Sequence, residues 1–372
     1  MSNSSPPEPA MKPDSILLTG ATGFVGMELL ARVLEQTDRD VIALVRADDD
    51  AAAQARMDEL LTTLVPPAAR PHRGRVRVVA ADLEAPGLGI APILRDQIAG
   101  SISAVVHCAA SVSFTLALED ARRINVGGTR EILELATEAH ERGTLDRFVH
   151  VSTAYVAGDR IGVVSEHDGN VGQGFRNTYE RTKLEAEQLV NDSGLPAAIV
   201  RPSVIVGDSS TGWTQAFNVI YWPLQAFARG LFPNVPGDAG ARLDIVPVDV
   251  VANALLALLV GPVRGGAFHV VAGDGAPTNA ELATLAAEAF DAEPPRFVRL
   301  GEDVRAENRA GALVPYFSVR CTFDARRARD LLGAIPPPLK DYFPSLMRYA
   351  REASWGKAPS PRWDVGMRQR AA

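Results

Sequence analysis

Tyr179 and Lys183 are the two residues of this sequence whose types and spacing most clearly suggest chemistry. They lie four residues apart in a segment of helical period, so the phenol and the ammonium project from one helix face, one turn apart. A neighbouring ammonium lowers the pKa of a phenol from about 10 toward neutrality, where the phenol can exchange a proton at physiological pH. We therefore predict that Tyr179 gives or takes a proton and that Lys183 assists it.

A hydroxyl able to hold a substrate oxygen beside Tyr179 is expected just after a predicted strand, in Ser152-Thr153. Adjacent residues of an extended stretch point to opposite sides, so either hydroxyl could fill the role, and we favour Thr153. Asn125 is a further candidate. It either hydrogen-bonds backbone or water behind Lys183, completing a proton relay, or caps its own helix.

A glycine-rich turn follows the first predicted strand. Its glycines recur at three-residue intervals, which permits a tight turn, close approach of the backbone to a pyrophosphate, and close packing of the next helix. An ordinary strand-to-helix turn is the alternative, but the strand-turn-helix context favours a dinucleotide site. The expected cofactor contacts here are Gly20, Thr22, Gly23, Phe24, Val25 and Gly26.

The end of the second predicted strand decides between the two nicotinamide dinucleotides. An acidic side chain there would bind the ribose 2′-hydroxyl of NAD, whereas this chain has Arg46, which can bind a 2′-phosphate, with Arg56 as a second charge. NADPH is therefore the expected cofactor. The competing interpretation is that Arg46 pairs with the acidic run at residues 48–50.

Further cofactor contacts are expected where the third and fourth strands end. Asp82, followed by Leu83, offers a carboxylate to an adenine amino group, and the small Ala109 and Ala110 leave room for a ribose. His107, at the end of the fourth strand, is more typical of a hydrogen-bonded core residue than of a catalyst.

These residues can form one site only if they lie at the same edge of a parallel sheet. Short β-branched runs alternate with helical segments, which predicts an α/β fold with a doubly wound parallel Rossmann sheet and a small, discontinuous C-terminal substrate domain. The predicted strands are Ser15 to Thr19, Val41 to Val45, Val76 to Ala80, Ala104 to His107, Arg147 to Val151, Ala197 to Val200 and Ala267 to Val271.

The pattern changes along the chain and suggests domain limits. Residues 1–14 read as a disordered leader, 15–206 and 243–275 as the NADP-binding domain, 207–242 and 276–353 as the substrate-binding domain, and 354–372 as a flexible tail. Trp213 and Trp222 lie in the aromatic insertion that we assign to substrate. The apolar run from Val250 to Val260 is too short for a membrane span and is expected to be a core helix capped by Asp249.

Composition narrows the class of protein. A formal net charge of -7 and a pI near 5.5 make nucleic acid a poor candidate partner. The two cysteines, Cys108 and Cys321, are too few for a disulfide framework and lack metal-ligand spacing, so no metal is expected. Without a secretion signal or membrane span, we expect a cytoplasmic protein.

Taken together, these motifs resemble the extended short-chain dehydrogenases/reductases, from about Ser15 to Gly275. The details are most similar to the thioester reductase and fatty acyl-CoA reductase branch, the male-sterility type. They include the segments Leu44 to Ala47, His107 to Phe114, Val151 to Val156, Arg201 to Gly207, Gly212-Trp213, and Val246 to Asp249.

The resemblance implies hydride transfer from NADPH to an acyl thioester carbonyl, collapse of the hemithioacetal to an aldehyde, and a second reduction where an alcohol is formed. Thr153 and Tyr179 would bind the carbonyl oxygen, and Lys183 the nicotinamide ribose. Pro202, Ser203 and Val204 would complete the cofactor site. Coenzyme A or an acyl carrier protein acting in trans would present the substrate. Relatives of this type also pair as homodimers through the helices at Asn125 and Tyr179.

Two other interpretations stay open. The same three residues could serve a reductase or dehydrogenase of a free carbonyl or hydroxyl group, such as a ketone, a sterol-like alcohol or a nucleotide sugar. The chain could also sense NADPH without chemistry, although such relatives typically lose the tyrosine or the lysine, and both are present here.

Overall fold

The computed structural model describes residues 14–217 and 219–371. Of the expected leader only Asp14 lies within them, where its carboxylate pairs with Arg39 at 3.0 Å; residues 1–13 lie outside. The strands of the described residues are β1 (Ser15–Thr19), β2 (Val41–Val45), β3 (Val76–Ala80), β4 (Ile102–His107), β5 (Arg147–Val151), β6 (Gly162–Val164), β7 (Ala197–Pro202), β8 (Val204–Val206), β9 (Asn234–Pro236), β10 (Ile245–Pro247), β11 (Gly266–Val270), β12 (Arg296–Val298) and β13 (Cys321–Phe323).

Seven of these strands form one parallel sheet in the order β11-β7-β5-β4-β1-β2-β3. The predicted fold class is confirmed, and four of its strands have the predicted limits. The order reverses direction between β1 and β4. Open α/β sheets bind ligands in the crevice at such a reversal, outside the carboxyl ends of the strands.

Helices cover both faces of this sheet. The helices of the described residues are α1 (Phe24–Gln36), α2 (Asp50–Leu64), α3 (Arg70–Arg73), α4 (Pro92–Ala99), α5 (Leu118–Arg122), α6 (Gly128–Glu141), α7 (Thr178–Asp192), α8 (Tyr221–Ala228), α9 (Val248–Val260), α10 (Asn279–Phe290), α11 (Val304–Ala310), α12 (Arg326–Leu332), α13 (Leu339–Glu352) and α14 (Arg362–Ala371). One π-helical turn, Arg123–Gly127, joins α5 to α6. The 3₁₀ turns are Pro67–Ala69, Pro86–Gly89, Ala154–Ala157, Gly273–Gly275, Gly311–Ser318 and Ser354–Gly356.

Burial of β2 shows how the sheet forms two cores. Its five residues are all buried, and alternate side chains point to opposite faces, so Val41, Ala43 and Val45 pack with α1, α2 and α9. Ile42 and Leu44 pack on the other face with α4 and α6. An all-apolar strand therefore fits the middle of a doubly covered sheet.

A second lobe stands at the carboxyl edge of the sheet. Two small parallel pairs belong to it, β9 with β12 and β6 with β13, together with helices α8, α10 and α13. Strand β6 lies within 15–206, the range predicted to be purely dinucleotide-binding. The second lobe thus draws on one more segment of the chain than the proposed domain limits give it.

The expected flexible tail contains an ordered helix, α14, that packs against α2. The Arg362 guanidinium donates to Glu28 at 2.9 Å and to Glu35 at 2.7 Å, and the Trp363 indole donates to the Thr62 carbonyl at 3.1 Å. Glu28 is fully buried on α1, and a buried carboxylate needs a counter-charge. The charges that make this segment polar therefore pair with distant partners.

Helix α9 is buried in the core, as expected, and no helix within the described ranges has the length and apolarity of a membrane span. It begins after Pro247, so Asp249 lies in its first turn instead of capping it. That carboxylate accepts from the Ser209 backbone N–H at 2.8 Å and hydroxyl at 2.7 Å, which fixes the start of the aromatic insertion.

Candidate functional site

The turn between β1 and α1 is shaped so tightly that it requires glycine. Gly20 has φ +70°, and a Cβ there would lie 2.7 Å from the Ala109 nitrogen. A Cβ on Gly26 would lie 2.1 Å from the Gly20 carbonyl oxygen. The N-terminus of α1 carries no side-chain cap and no acidic residue in its first turn, so its backbone N–H groups fit an anionic group such as a pyrophosphate.

At the end of β2, the arginine is exposed and two of its three acidic neighbours are occupied elsewhere. Asp49 caps α2 by accepting from the Ala52 N–H at 2.7 Å, and Asp50 accepts from the Ala80 N–H at 2.9 Å. Arg46 makes no ion pair with residues 48–50 in the described structure. Arg56 donates to the Arg46 carbonyl at 2.6 Å, which places its guanidinium at the same corner.

His107, at the end of β4, is a core residue within a hydrogen-bonded chain. Thr19 bonds its Nδ1 at 2.7 Å, and Thr129 bonds its Nε2 at 3.1 Å. Burial lowers the pKa of His107 to about 3, so the ring is neutral. Thr19 also accepts from the Ala109 N–H at 3.1 Å, and the chain therefore ties the phosphate turn to the end of β4.

The three predicted catalytic side chains converge at the carboxyl edge of the sheet. Thr153 follows β5, and its hydroxyl accepts from the Tyr155 N–H at 3.2 Å and donates to the Pro202 carbonyl at 3.4 Å. Lys183 lies one turn along α7 from Tyr179; Lys183 is buried, and Tyr179 is partly exposed at the cavity wall. The Ser152 hydroxyl is also buried but has no partner among the described residues, whereas the Thr153 hydroxyl acts on the Tyr179 phenol and lowers the pKa of that phenol, which favours Thr153.

The expected depression of the Tyr179 pKa is not found. Burial raises the pKa of Tyr179 to about 12. Burial also lowers the pKa of Lys183 to about 8, and its ammonium donates to His150 Nε2 at 3.1 Å. His150 stays neutral because burial and the Lys183 charge keep its pKa well below the usual value. In this structure the Lys183 ammonium is thus hydrogen-bonded to the His150 imidazole.

Asn125 lies in the π-helical turn and clamps the loop after β4 onto α7. Its amide oxygen accepts from the Ser111 N–H at 2.8 Å, while its amide nitrogen donates to the Ser111 carbonyl at 3.1 Å and to the Thr182 hydroxyl at 3.0 Å. It does not cap its helix. Of the two roles considered, the structure therefore shows the backbone hydrogen bond, next to the residue that precedes Lys183.

A cavity of about 1030 Å³ connects the phosphate turn, the catalytic residues and the second lobe. Beyond Tyr179 its wall is almost entirely apolar, and we call this part the apolar chamber. The chamber is lined by Trp222, Pro223, Leu224, Phe227, Phe232, Val235, Pro236, Leu243, Leu282, Ala283, Ala286, Pro295, Phe297, Ala310, Leu313 and Phe317, with Asn279 as a polar member. Trp213, assigned to substrate with Trp222, lies instead in the main core, where its indole donates to the Ser360 carbonyl at 2.9 Å.

The cavity brings together most of the predicted cofactor residues. Those on its wall are Gly20, Gly23, Phe24, Val25, Gly26, Ala110, Tyr179, Lys183, Pro202, Ser203 and Val204. Thr22, Arg46, Asp82, Leu83 and Ala109 belong to the turns at the same edge and Arg56 to helix α2, and none of these six residues lines the cavity. Asp82 accepts from the Glu84 N–H at 3.0 Å, and Leu83 packs near Gly128.

Three residues of the site escaped the sequence prediction. His150 holds Lys183, and Phe114 and Tyr316 form part of the cavity wall beside Tyr179. A histidine within a buried, β-branched strand was a usable signal for His150. Tyr316 comes from a distant 3₁₀ turn, so no local pattern pointed to it.

Known proteins share this architecture. The family model described as male sterility protein, an NAD-binding family, matches residues 18–255. The chain is 35% identical over 261 residues to an isonitrile lipopeptide synthase of Streptomyces coeruleorubidus, covering 68% of this chain and 17% of that protein. It is 32% identical over 279 residues to fatty acyl-CoA reductase 1 of Mus musculus, covering 65% of this chain and 54% of that protein. The chain thus spans about half the length of the curated fatty acyl-CoA reductases it matches, and far less of the synthase.

Among solved structures, the terminal R domain from the myxalamid PKS-NRPS biosynthetic pathway matches with a TM-score of 0.79 and 27% identity, over 95% of this chain and 94% of that one. A UDP-glucuronic acid 4-epimerase from Bacillus cereus, solved with NAD, matches with a TM-score of 0.68 over 92% of this chain and 98% of that one. Its 19% identity supports the common fold alone.

Proposed function

Because the chain belongs to the male sterility protein family of NAD-binding domains, we propose that it is an NADPH-dependent reductase of acyl thioesters. The observation that carries this proposal is the continuous cavity, which leads from a glycine turn suited to a dinucleotide, past Thr153 and Tyr179, into the apolar chamber. An acyl chain suits such a chamber, since burial of each CH₂ group contributes about 0.8 kcal/mol. A nucleotide sugar would leave its polar groups without partners there.

Each catalytic side chain has a role that fits its contacts. When bound, the reduced nicotinamide would supply a hydride to the carbonyl carbon. Thr153 and Tyr179 would hold the carbonyl oxygen, and Tyr179 would donate its proton to it. Loss of the thiol from the resulting hemithioacetal gives an aldehyde. Lys183, released from His150, would bind the nicotinamide ribose.

The preference for NADPH over NADH is proposed from Arg46. Its exposed guanidinium, not paired to the acidic run, stands at the corner where a 2′-phosphate is expected. We expect Arg46→Ala to raise the KM for NADPH on the order of tenfold, because a charged hydrogen bond contributes about 1.5 to 3 kcal/mol when shielded and less when exposed. The KM for NADH should change little.

Steady-state kinetics with both cofactors measures this effect. Arg142→Ala is the matched control, since Arg142 is a partly exposed arginine that pairs with Asp96 away from the cavity. An equal rise in KM for NADPH and NADH would show that Arg46 supports the structure of the loop and does not bind the 2′-phosphate.

The apolar chamber should set which acyl groups react. Ala283, on α10, lines it, and a phenyl ring at that position would occupy the space for a long chain. We expect Ala283→Phe to lower kcat/KM for a long-chain acyl-CoA about tenfold or more while short-chain turnover persists. Thr284→Phe puts the same ring on the exposed side of α10 and should leave the ratio unchanged. A uniform loss across chain lengths would place the acyl group elsewhere.

The direct test is consumption of NADPH in the presence of a panel of acyl-CoA and carrier-bound acyl thioesters, with simple ketones as comparison substrates. UDP-sugars and sterol-like alcohols are tested in parallel for reduction of NADP⁺, because nicotinamide chemistry can only oxidise a hydroxyl group. Thioester-dependent oxidation supports the proposal. Two NADPH consumed per thioester would identify an alcohol product, and one an aldehyde. Turnover of ketones or sugars alone would instead support a reductase or dehydrogenase of free carbonyl or hydroxyl groups.

A homodimer and a carrier protein acting in trans stay proposals. Light scattering tests the homodimer, and the carrier-bound thioesters of the panel test the carrier protein.

A further inference from the structure

Asn279 is the polar member of the apolar chamber and the first residue of α10. Leu282 and Ala283, one turn further along, and Ala286, two turns further along, share its helix face and also line the chamber. The Asn279 side chain is buried, with only 3% of the residue's surface exposed. A polar group buried in such surroundings needs hydrogen-bond partners for its oxygen and for its nitrogen.

The amide nitrogen of Asn279 finds its partners within the protein. It donates to the Asp238 carbonyl at 2.7 Å and to the Phe317 carbonyl at 2.9 Å, and so joins α10 to two other segments of the second lobe. A reversed amide would place its oxygen against both carbonyl oxygens, so these two contacts fix the orientation of the amide group. The nitrogen therefore accounts for the structural role of this side chain.

The amide oxygen of Asn279 has no such partner. It is buried and accepts no hydrogen bond from the described residues. A buried water is retained where about two to four polar groups hold it, and the described side chains that define the chamber bring no second carbonyl, hydroxyl or charge. A donor carried by the occupant of the chamber therefore suits this oxygen better than a water molecule does.

We propose that Asn279 is a specificity-determining residue, whose amide oxygen accepts a hydrogen bond from a hydroxyl or amide N–H group on the acyl chain. The preferred substrate is then an acyl thioester whose chain carries a hydrogen-bond donor, and not a plain hydrocarbon chain. The inference rests on the proposed function, in which the chamber holds the acyl group. A site built to bond such a donor discriminates against a chain without it, because the buried oxygen then stays unpaired.

The position of the donor along the acyl chain should matter. The chamber lies beyond Tyr179, so the donor belongs to a part of the chain away from the carbonyl that reacts. A hydroxyl at another position within the chamber would lie against apolar side chains and lose its hydration without compensation. We therefore expect a gain in affinity at one position of the chain and a loss at the neighbouring positions.

The test measures, by isothermal titration calorimetry, how the full chain binds long-chain fatty acids of equal length that carry one hydroxyl at successive carbons. Chains with one internal amide form a second arm. We expect one hydroxylated acid to bind about tenfold more tightly than the unsubstituted acid, and Asn279→Leu to abolish this ratio. Comparing ligand pairs removes any general effect of the substitution. Asn234→Leu is the matched control, since Asn234 bonds Asp303 at 2.8 Å in the same lobe and does not line the cavity.

Two further variants keep the proposal testable if Asn279→Leu does not fold. Asn279→Ala should also abolish the preference, whereas Asn279→Asp keeps an oxygen acceptor and should retain it. The inference is overturned if no acid of the series binds, if neither arm shows a preferred position, or if the preference survives both Asn279→Leu and Asn279→Ala. Binding with this preference but without reduction of any thioester would defeat the proposed function and leave the donor site standing. Reduction of long-chain thioesters without the preference would do the reverse.

Discussion

Tyr179→Phe is expected to lower kcat/KM for thioester-dependent NADPH oxidation about a thousandfold, within the range that positioned general acids contribute. The phenol stands at the cavity wall beside Thr153, and phenylalanine keeps the ring while removing the hydroxyl proton. NADPH binding should change little, because Lys183 and the glycine turn are untouched. Steady-state kinetics measures the loss of turnover, and fluorescence titration with NADPH measures cofactor binding separately.

A control for this substitution is Tyr349→Phe. Tyr349 is also buried, but it lies in α13 outside the cavity and bonds the Ser360 carbonyl at 3.4 Å. We expect it to retain turnover. If Tyr179→Phe left turnover with every thioester and ketone unchanged, Tyr179 would not be the acid. A chain that binds NADPH but turns over nothing, with or without Tyr179, would be the sensor considered at the outset.

The second large effect is expected from Gly26→Ala. A methyl group would lie 2.1 Å from the Gly20 carbonyl oxygen, a distance that only a shift of the backbone can relieve. Such a shift would separate α1 from β1 and move the N–H groups that face the pyrophosphate. We expect NADPH affinity to fall about a hundredfold, and overpacking of this kind typically costs about 1 to 3 kcal/mol of stability. Fluorescence titration measures the NADPH affinity, and chemical denaturation measures the free energy of unfolding.

Gly169→Ala is the corresponding control, since a Cβ there meets nothing within 4 Å and the residue is exposed. It should bind NADPH as the unmodified chain does. Full NADPH affinity in Gly26→Ala would mean that the turn does not hold the dinucleotide. The placement of the cofactor at the carboxyl edge of the sheet would then be wrong.

The parts of the molecule that could be predicted are those that local pattern determines. The strand β2 is buried on both faces, so its apolar run identified it directly, and the glycine spacing identified the turn because no other residue fits Gly20 or Gly26. The family resemblance is confirmed by the match over residues 18–255. Thr153 and Tyr179 meet because parallel strands and their following helices share one edge.

Long-range contacts explain the failures. The pKa of Tyr179 depends on how deeply the second lobe buries it and on where Lys183 points, and neither follows from a four-residue spacing. Trp213 was assigned to substrate on composition, but its partner is the carbonyl of Ser360. Tyr316 reaches Glu180 across 136 residues of sequence. Each of these properties depends on residues that lie far apart in the sequence, and a local pattern contains only one of them.

The salt bridge between Glu28 and Arg362 bears on the order in which the molecule can assemble. The two residues are separated by 334 positions, and Glu28 lies on α1, in the first βαβ unit of this sequence, which is synthesised well before Arg362. Contacts of such large sequence separation are expected to form late in folding, because their loop-closure entropy must be met first. Until Arg362 has been added, Arg32 alone among the described cations compensates the Glu28 carboxylate. Helix α1 therefore reaches its native packing only after the segment that carries Arg362 has been made.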